Sequence, residues 1–125
     1  MSFENKILNL IGRDSALFEE DINRLEKQIT NIVNKSNFLV IGGAGSIGQA
    51  VTTEIFKRRP NKLHVIDINE NNMVELVRNL RSTLGYIEGD FKTFSIDCGG
   101  FEFEALMNTE GPYDYVFNLS ALKHV

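Results

Sequence analysis

Phe38-Leu39-Val40-Ile41-Gly42-Gly43-Ala44-Gly45-Ser46-Ile47-Gly48 is the stretch that decides the reading of this chain. Its first four residues form a short continuous apolar run, the pattern of a strand buried on both faces. Glycines follow at positions 42, 45 and 48. Beyond them, Ile47, Val51 and Ile55 are expected on the buried side of a helix over about 46–59, which Pro60 stops. Strand, glycine turn and helix in that order give the spacing its meaning. The first glycine permits the tight turn, the second lets the backbone approach a pyrophosphate, and the third lets helix and strand pack closely. The N–H groups and partial positive charge at the helix start suit phosphate. Gly42, Gly45, Ser46, Ile47 and Gly48 are therefore expected to bind a dinucleotide, NAD or NADP. A bare strand-to-helix turn is the alternative.

The next apolar stretch, Leu63-His64-Val65-Ile66-Asp67, reads as a second strand ending on a carboxylate 19 positions after Gly48. An acid there accepts hydrogen bonds from the adenosine ribose hydroxyls and repels a 2′-phosphate, which favours NAD. Asp67 and the adjoining Ile68 join the expected cofactor-binding set, with a cap or turn as the other role open to Asp67. Asp97, with Cys98 beside it, ends a third strand predicted over 91–96. It is placed either at the adenine side of the cleft or in a turn before Gly99-Gly100.

Working outward, Phe18, Ile22, Leu25, Ile29 and Ile32 recur at steps of four and three and predict a helix over about 16–34. Its stripe reads as packing surface, against further chain or another subunit. Met73, Leu76, Val77 and Leu80 predict a helix over 70–82. A short helix over 101–108, a turn at Gly111-Pro112 and a strand over 115–119 follow. Strand and helix alternate four times, which specifies α/β architecture: the first four strands of a Rossmann-type, doubly wound parallel sheet. The expected division is a helical extension over 1–36 and a nucleotide-binding half-domain over 37–125.

The 125 residues, 42% of them hydrophobic, suffice for one core. With 17 acidic against 13 basic residues, the chain lacks the basic footprint of a nucleic-acid or anionic-membrane binder. A single cysteine makes no internal disulfide and no metal-ligand pair, so no metal is expected and a reducing cytoplasm is the natural location. The N-terminus lacks the order of a secretory signal, and no apolar run approaches the roughly 20 residues of a membrane span. Cys98 reads as a small hydrophobe rather than a nucleophile, and His64 as structural. Lys123 and His124 follow the fourth strand at the carboxyl edge of the sheet, where ligands bind in open α/β folds.

Several stretches together resemble the extended short-chain dehydrogenase/reductases, and among them the nucleotide-sugar 4,6-dehydratases of polysaccharide biosynthesis, of the UDP-N-acetylglucosamine type. Leu10-Ile11-Gly12-Arg13 is similar to that family's Leu-Leu-Gly-Arg, and Gly42 to Gly48 to its Gly-x-x-Gly-x-x-Gly. Asp67 with Asn69-Glu70-Asn71-Asn72 resembles its Asp-x-x-Glu-Asn-Asn. Val116-Phe117-Asn118-Leu119-Ser120-Ala121-Leu122-Lys123-His124-Val125 is similar to Val-Phe-His-Ala-Ala-Ala-Leu-Lys-His-Val. The resemblance implies that Leu119, Ser120 and Ala121 line the ribose and nicotinamide side, and that Lys123 lies near cofactor or substrate. Ile41 stands where the family has Thr, and Leu119-Ser120 where it has Ala-Ala.

The resemblance further implies oxidation at C4 of a nucleotide sugar, elimination across C5 and C6, and return of the hydride to C6. The family's catalytic Thr-Asp-Lys segment and its Tyr-x-x-x-Lys-type acid/base lie past the fourth strand, and neither is in this sequence. The chain is therefore expected to be a fragment that binds cofactor, with no catalytic residue of its own and a possible homo-oligomer as the assembled form. A nucleotide-sugar epimerase sharing this cofactor half and a non-catalytic NAD(P)-binding module are the alternatives.

Overall fold

A computed structural model of the chain describes residues 20–97 and 99–120. The chain divides into two units, up to Ile32 and from Val33 onward. The described part of the first helix, α1, runs over 20–35. Its stripe of Ile22, Leu25, Ile29 and Ile32 is exposed, at 37–53% of the accessible surface of each residue. Phe18, also assigned to that stripe, lies outside the described residues.

From Val33 onward, strand and helix alternate as β1 (Asn37–Ile41), α2 (Ser46–Lys57), β2 (Lys62–Ile66), α3 (Glu70–Thr83), β3 (Asp90–Phe94), α4 (Phe101–Glu110) and β4 (Tyr115–Asn118). The four strands form one parallel sheet in the order β3-β2-β1-β4. This arrangement matches the expected architecture. Two successive right-handed crossovers step from β1 to β2 to β3 and place α2 and α3 on one face. The third connection returns across β1 to β4 and places α4 on the other face.

The alternation of side chains along the strands divides the core accordingly. Phe38, Val40, Leu63 and Val65 pack with Ile55, Phe56, Met73, Leu76 and Leu80 of α2 and α3. Leu39, Ile41 and Ile66 face Leu106, Phe103 and Met107 of α4. Each fully buried Leu or Val contributes about 1.5–3 kcal/mol through removal from water. The central strand β1 is covered on both faces, which explains its unbroken apolar run. The edge strand β4 is exposed along its whole length, and Phe38 alone stacks two of its rings, Tyr115 at 5.2 Å and Phe117 at 6.3 Å between centroids.

Three sequence expectations are corrected. The buried side of α2 is Gly48, Thr52, Ile55 and Phe56, with Val51 only partly covered and Ile47 55% exposed. Steps of four, three and one keep the first set over the sheet, whereas Ile47 sits at the rim where the helix begins. Strand β3 ends at Phe94 rather than at position 96, because its partner β2 ends at Ile66 and the ladder has nothing further to pair with. Helix α4 continues to Glu110, two residues past the predicted end.

Local chemistry fixes the helix ends. The Asn69 side chain accepts the N–H of Asn72 at 2.9 Å and caps α3. At the other end of α3, Gly85 takes φ +77° and donates its N–H to Leu80 O at 3.0 Å, the left-handed closure that favours glycine. A Cβ at Gly85 would meet nothing within 4 Å, so Gly85→Ala tests conformation alone. The expected loss is about 1 kcal/mol in urea unfolding, with m unchanged.

Candidate functional site

Strands β2 and β4 flank β1 on opposite sides, so the carboxyl ends of β1 and β4 mark the point where strand order reverses. A crevice opens there in doubly wound sheets. The glycine turn stands at that point. Gly42 adopts φ +77° and its N–H donates to Ile66 O at 2.8 Å, which turns the chain back over β2. A Cβ on Gly42 would come within 2.8 Å of the Ser120 nitrogen, so the end of β4 lies against the turn. A Cβ on Gly48 would stand 2.1 Å from Gly42 O, and helix α2 touches the turn through that missing atom. The roles assigned to the first and third glycines are thus visible in the packing.

Helix α2 begins from Gly45, which has extended backbone and contributes no side-chain cap. The first N–H groups of a helix have no partner within it, and here they point toward the carboxyl edge of the sheet. Asp67, 3% exposed, follows β2 and braces the turn. Its Oδ2 accepts the Ala44 N–H at 3.0 Å and its Oδ1 accepts the Asn69 N–H at 2.9 Å. These two bonds are the turn role that the sequence left open for Asp67. Ile68, 71% exposed, stands beside it as an uncovered apolar surface, as Ile47 does on α2.

Leu119 extends the ladder through its N–H to Ile41 O at 2.8 Å and packs against the core on the α2 side. Ser120 is held by Asn118, whose Oδ1 accepts the Ser120 hydroxyl at 2.6 Å. The structure therefore brings Gly42, Gly45, Ser46, Ile47, Gly48, Asp67, Ile68, Leu119 and Ser120 to one edge of the sheet. Asp97 is exposed, and its Oδ1 accepts the Gly99 N–H at 3.0 Å, the turn role that the sequence left open. Cys98, Ala121 and Lys123 lie outside the described residues.

Sequence reasoning passed over the inner side of the turn. A Cβ on Gly43 would fall 2.3 Å from Val65 Cγ1, so the second glycine of the Gly42-Gly43 pair is required by packing. Ala44 is buried, and its carbonyl accepts Gln49 Nε2 at 2.8 Å, which ties the turn to the helix it precedes. Thr52 Oγ1, beneath Gly43, is buried without a hydrogen-bond partner.

A second polar group lies on the α4 face. His64, fully buried at the centre of β2, places Nδ1 2.8 Å from Tyr113 Oη and Nε2 2.9 Å from Asp90 Oδ2. Lys92 reaches toward Asp90 and Glu110, and Lys62 donates to Glu110 O at 2.8 Å. Burial pushes the His64 imidazole below its ordinary range, against the opposing pull of Asp90. Burial, reinforced by Glu110 and Asp90, pushes the Tyr113 hydroxyl up to about 12. The fold thus disfavours protonation of His64 relative to an unfolded histidine, which takes a proton near pH 6.5. The unfolded state binds more protons below that pH, so this contribution to stability is present above 6.5 and is lost on acidification. The urea midpoint should fall between pH 7 and 5.5, before ordinary carboxylates titrate, and His124→Gln should leave that fall in place.

A cleft of about 410 Å³ lies at the opposite edge, lined by Asn34, Arg59, Pro60, Asn61, Glu88 and Gly89 at the amino ends of β2 and β3. Volume is a weaker guide than the convergence of turn, helix start and carboxylate, and open α/β sheets bind ligands at the carboxyl edge. Among the described residues, no helix is long and apolar enough to cross a membrane.

Residues 38–125 match the family model described as polysaccharide biosynthesis protein. The chain is 32% identical over 100 residues to "Uncharacterized membrane protein MJ1061" of Methanocaldococcus jannaschii, an alignment covering 79% of this chain and 27% of that protein. It therefore spans about a quarter of the length of that curated relative. The family match begins within β1 and takes in the glycine turn, Asp67 and all four strands. On that match the chain belongs to the polysaccharide biosynthesis protein family, which is associated with NAD-dependent epimerase and dehydratase enzymes.

Proposed function

We propose that this chain is the NAD-binding portion of a nucleotide-sugar 4,6-dehydratase, of the UDP-N-acetylglucosamine type, acting in polysaccharide biosynthesis. The observation that carries the reading is the hydrogen bond from Ala44 N–H to Asp67 Oδ2, which joins the glycine turn and the acid after β2 into one buried unit. The donor set suits a dinucleotide: α2 starts from Gly45, which sets no side chain before its first N–H groups, and the close contacts at Gly42 and Gly48 seat the helix on the turn. Bound NAD supplies a hydride acceptor and donor.

The chain's own residues bind and orient. The first-turn N–H groups of α2, from Ser46 onward, hold phosphate oxygens, and the helix dipole favours that charge. Asp67, at the end of β2, is the acid that accepts ribose hydroxyls, and its negative charge disfavours a 2′-phosphate. Ile47 and Ile68 flank the site with apolar surface that excludes water from the adenosine. Ser120 lies against Gly42, and the dehydratase pattern gives contacts with nicotinamide and sugar to the positions of Ala121 and Lys123. The likeness of the segment 116–125 to the dehydratase pattern favours dehydration over epimerisation.

Calorimetric titration of the chain with NAD⁺ and NADP⁺ tests the reading. NAD⁺ should bind at least about tenfold more tightly, roughly 1.4 kcal/mol of discrimination by the Asp67 charge. Tighter binding of NADP⁺ would reverse the cofactor assignment, and binding of neither would remove the site.

A further inference from the structure

The geometry points to a second binding site, apart from the glycine turn, at which His64, Asp90 and Glu110 take a divalent transition-metal ion such as zinc. Alternation along β2 turns Lys62 and His64 to the α4 face, and the parallel register sets Asp90 beside Lys62 and Lys92 beside His64. Helix α4 ends by delivering Glu110 to the same place. One ligand atom from each of His64, Asp90 and Glu110 lies within 4.8 Å of the others. An imidazole nitrogen with two carboxylate oxygens suits zinc, whereas magnesium and calcium select oxygen ligands throughout.

The outer hydrogen bond that a metal-binding histidine needs is already present. In the metal-free arrangement, a neutral His64 donates from Nε2 to Asp90 and accepts the Tyr113 O–H at Nδ1. With a metal on Nε2, the ring proton moves to Nδ1 and is donated to the Tyr113 oxygen, which both donates and accepts. The ring keeps one proton and Tyr113 keeps its own, so the change is a tautomer exchange with no proton released. Asp90, relieved of its bond to His64, turns an oxygen to the ion.

The site already holds a positive charge. Lys92 Nζ stands 3.9 Å from Asp90 Oδ2 and 3.5 Å from Glu110 Oε1, with its side chain about half exposed and able to swing into water. Zinc would set two positive charges against the carboxylates of Asp90 and Glu110, where Lys92 now supplies one. Ligand atoms of a tetrahedral site with bonds of about 2.0 Å lie roughly 3.3 Å apart. Asp90 therefore draws back from its 2.9 Å contact with His64, and Glu110, the last residue of α4 and partly exposed, closes in.

The test is titration of the full chain with zinc sulfate, followed by the ¹⁵N resonances of the His64 ring and by thermal melting. The expected result is a rise in Tm with an exchange of the Nδ1 and Nε2 shifts, the mark of the tautomer change. Glu110→Gln, which leaves the His64, Asp90 and Tyr113 contacts in place, should weaken zinc at least about tenfold. Lys92→Met, which removes the resident cation, should strengthen it. His64 resonances that stay fixed at millimolar zinc would overturn the proposal. So would equal affinity in Glu110→Gln, which would put the ion elsewhere, at Cys98 or His124.

Discussion

Gly48→Ala is expected to destabilise the protein by about 3 kcal/mol, the upper range for forcing an extra methyl into a closed space. The added Cβ would stand 2.1 Å from Gly42 O and 2.6 Å from Gly43 Cα, and both neighbours are backbone. Relief by a side-chain rotation is impossible, so α2 and the turn must separate. That separation loosens Thr52, Ile55 and Phe56 from the sheet, because they lie on the same face of the helix. Chemical denaturation measures the loss, with Gly85→Ala as the contrasting glycine whose Cβ meets nothing. Equal costs at the two positions would mean that the helix does not seat on the turn.

Gly45→Val should do the opposite: retain the fold and lose the nucleotide. Gly45 has φ −74° and ψ 174°, an extended conformation that valine adopts readily, so no left-handed strain opposes the change. Replacing a glycine N-cap by a residue without a capping side chain costs about 1 kcal/mol or less of helix stability. The branched side chain, however, would occupy the approach to the first turn of α2, where a pyrophosphate must come within hydrogen-bond distance of backbone N–H groups. NAD⁺ affinity should fall at least about a hundredfold, roughly 2.7 kcal/mol. Undiminished affinity in a folded variant would place phosphate recognition elsewhere.

The two glycines also show how far the sequence is legible. Spacing gave Gly42, Gly45 and Gly48 distinct roles, and the packing bears out the turn at Gly42 and the close contact at Gly48. The four strands were readable because each carries an apolar or β-branched run bounded by turn residues. Boundaries were less so, since Phe94 ends β3 only because Ile66 ends β2, a fact of register rather than of local sequence. Asp67 was marked as a ligand residue, yet its bond to Ala44 spans 23 positions and has no local signature. The same holds for His64, whose partners Asp90 and Tyr113 are 26 and 49 residues away. A buried histidine in an apolar strand signals that some partner exists, and only the folded sheet names it.

Ile22, Leu25, Ile29 and Ile32 teach a different lesson. Periodicity predicts a helix over about 16–34, and the described part of that helix runs over 20–35, but periodicity records that a stripe is apolar and is silent on what covers it. The segment after β4 is bounded in the same way. Resemblance extends through Val125, while the described residues end at Ser120, whose nitrogen lies against Gly42.

The central claim, that a dinucleotide lies on the glycine turn at the carboxyl edge, is tested most directly by ¹H–¹⁵N correlation spectra recorded while NAD⁺ is added. The largest shifts are expected at the amides of Gly43 and of Gly45 to Gly48, with further shifts at Ile68 and Ser120. Amides around Asn34, Asn61 and Gly89, at the opposite edge of the sheet, should stay fixed. Shifts confined to that opposite cleft, or none at saturating nucleotide, would contradict it.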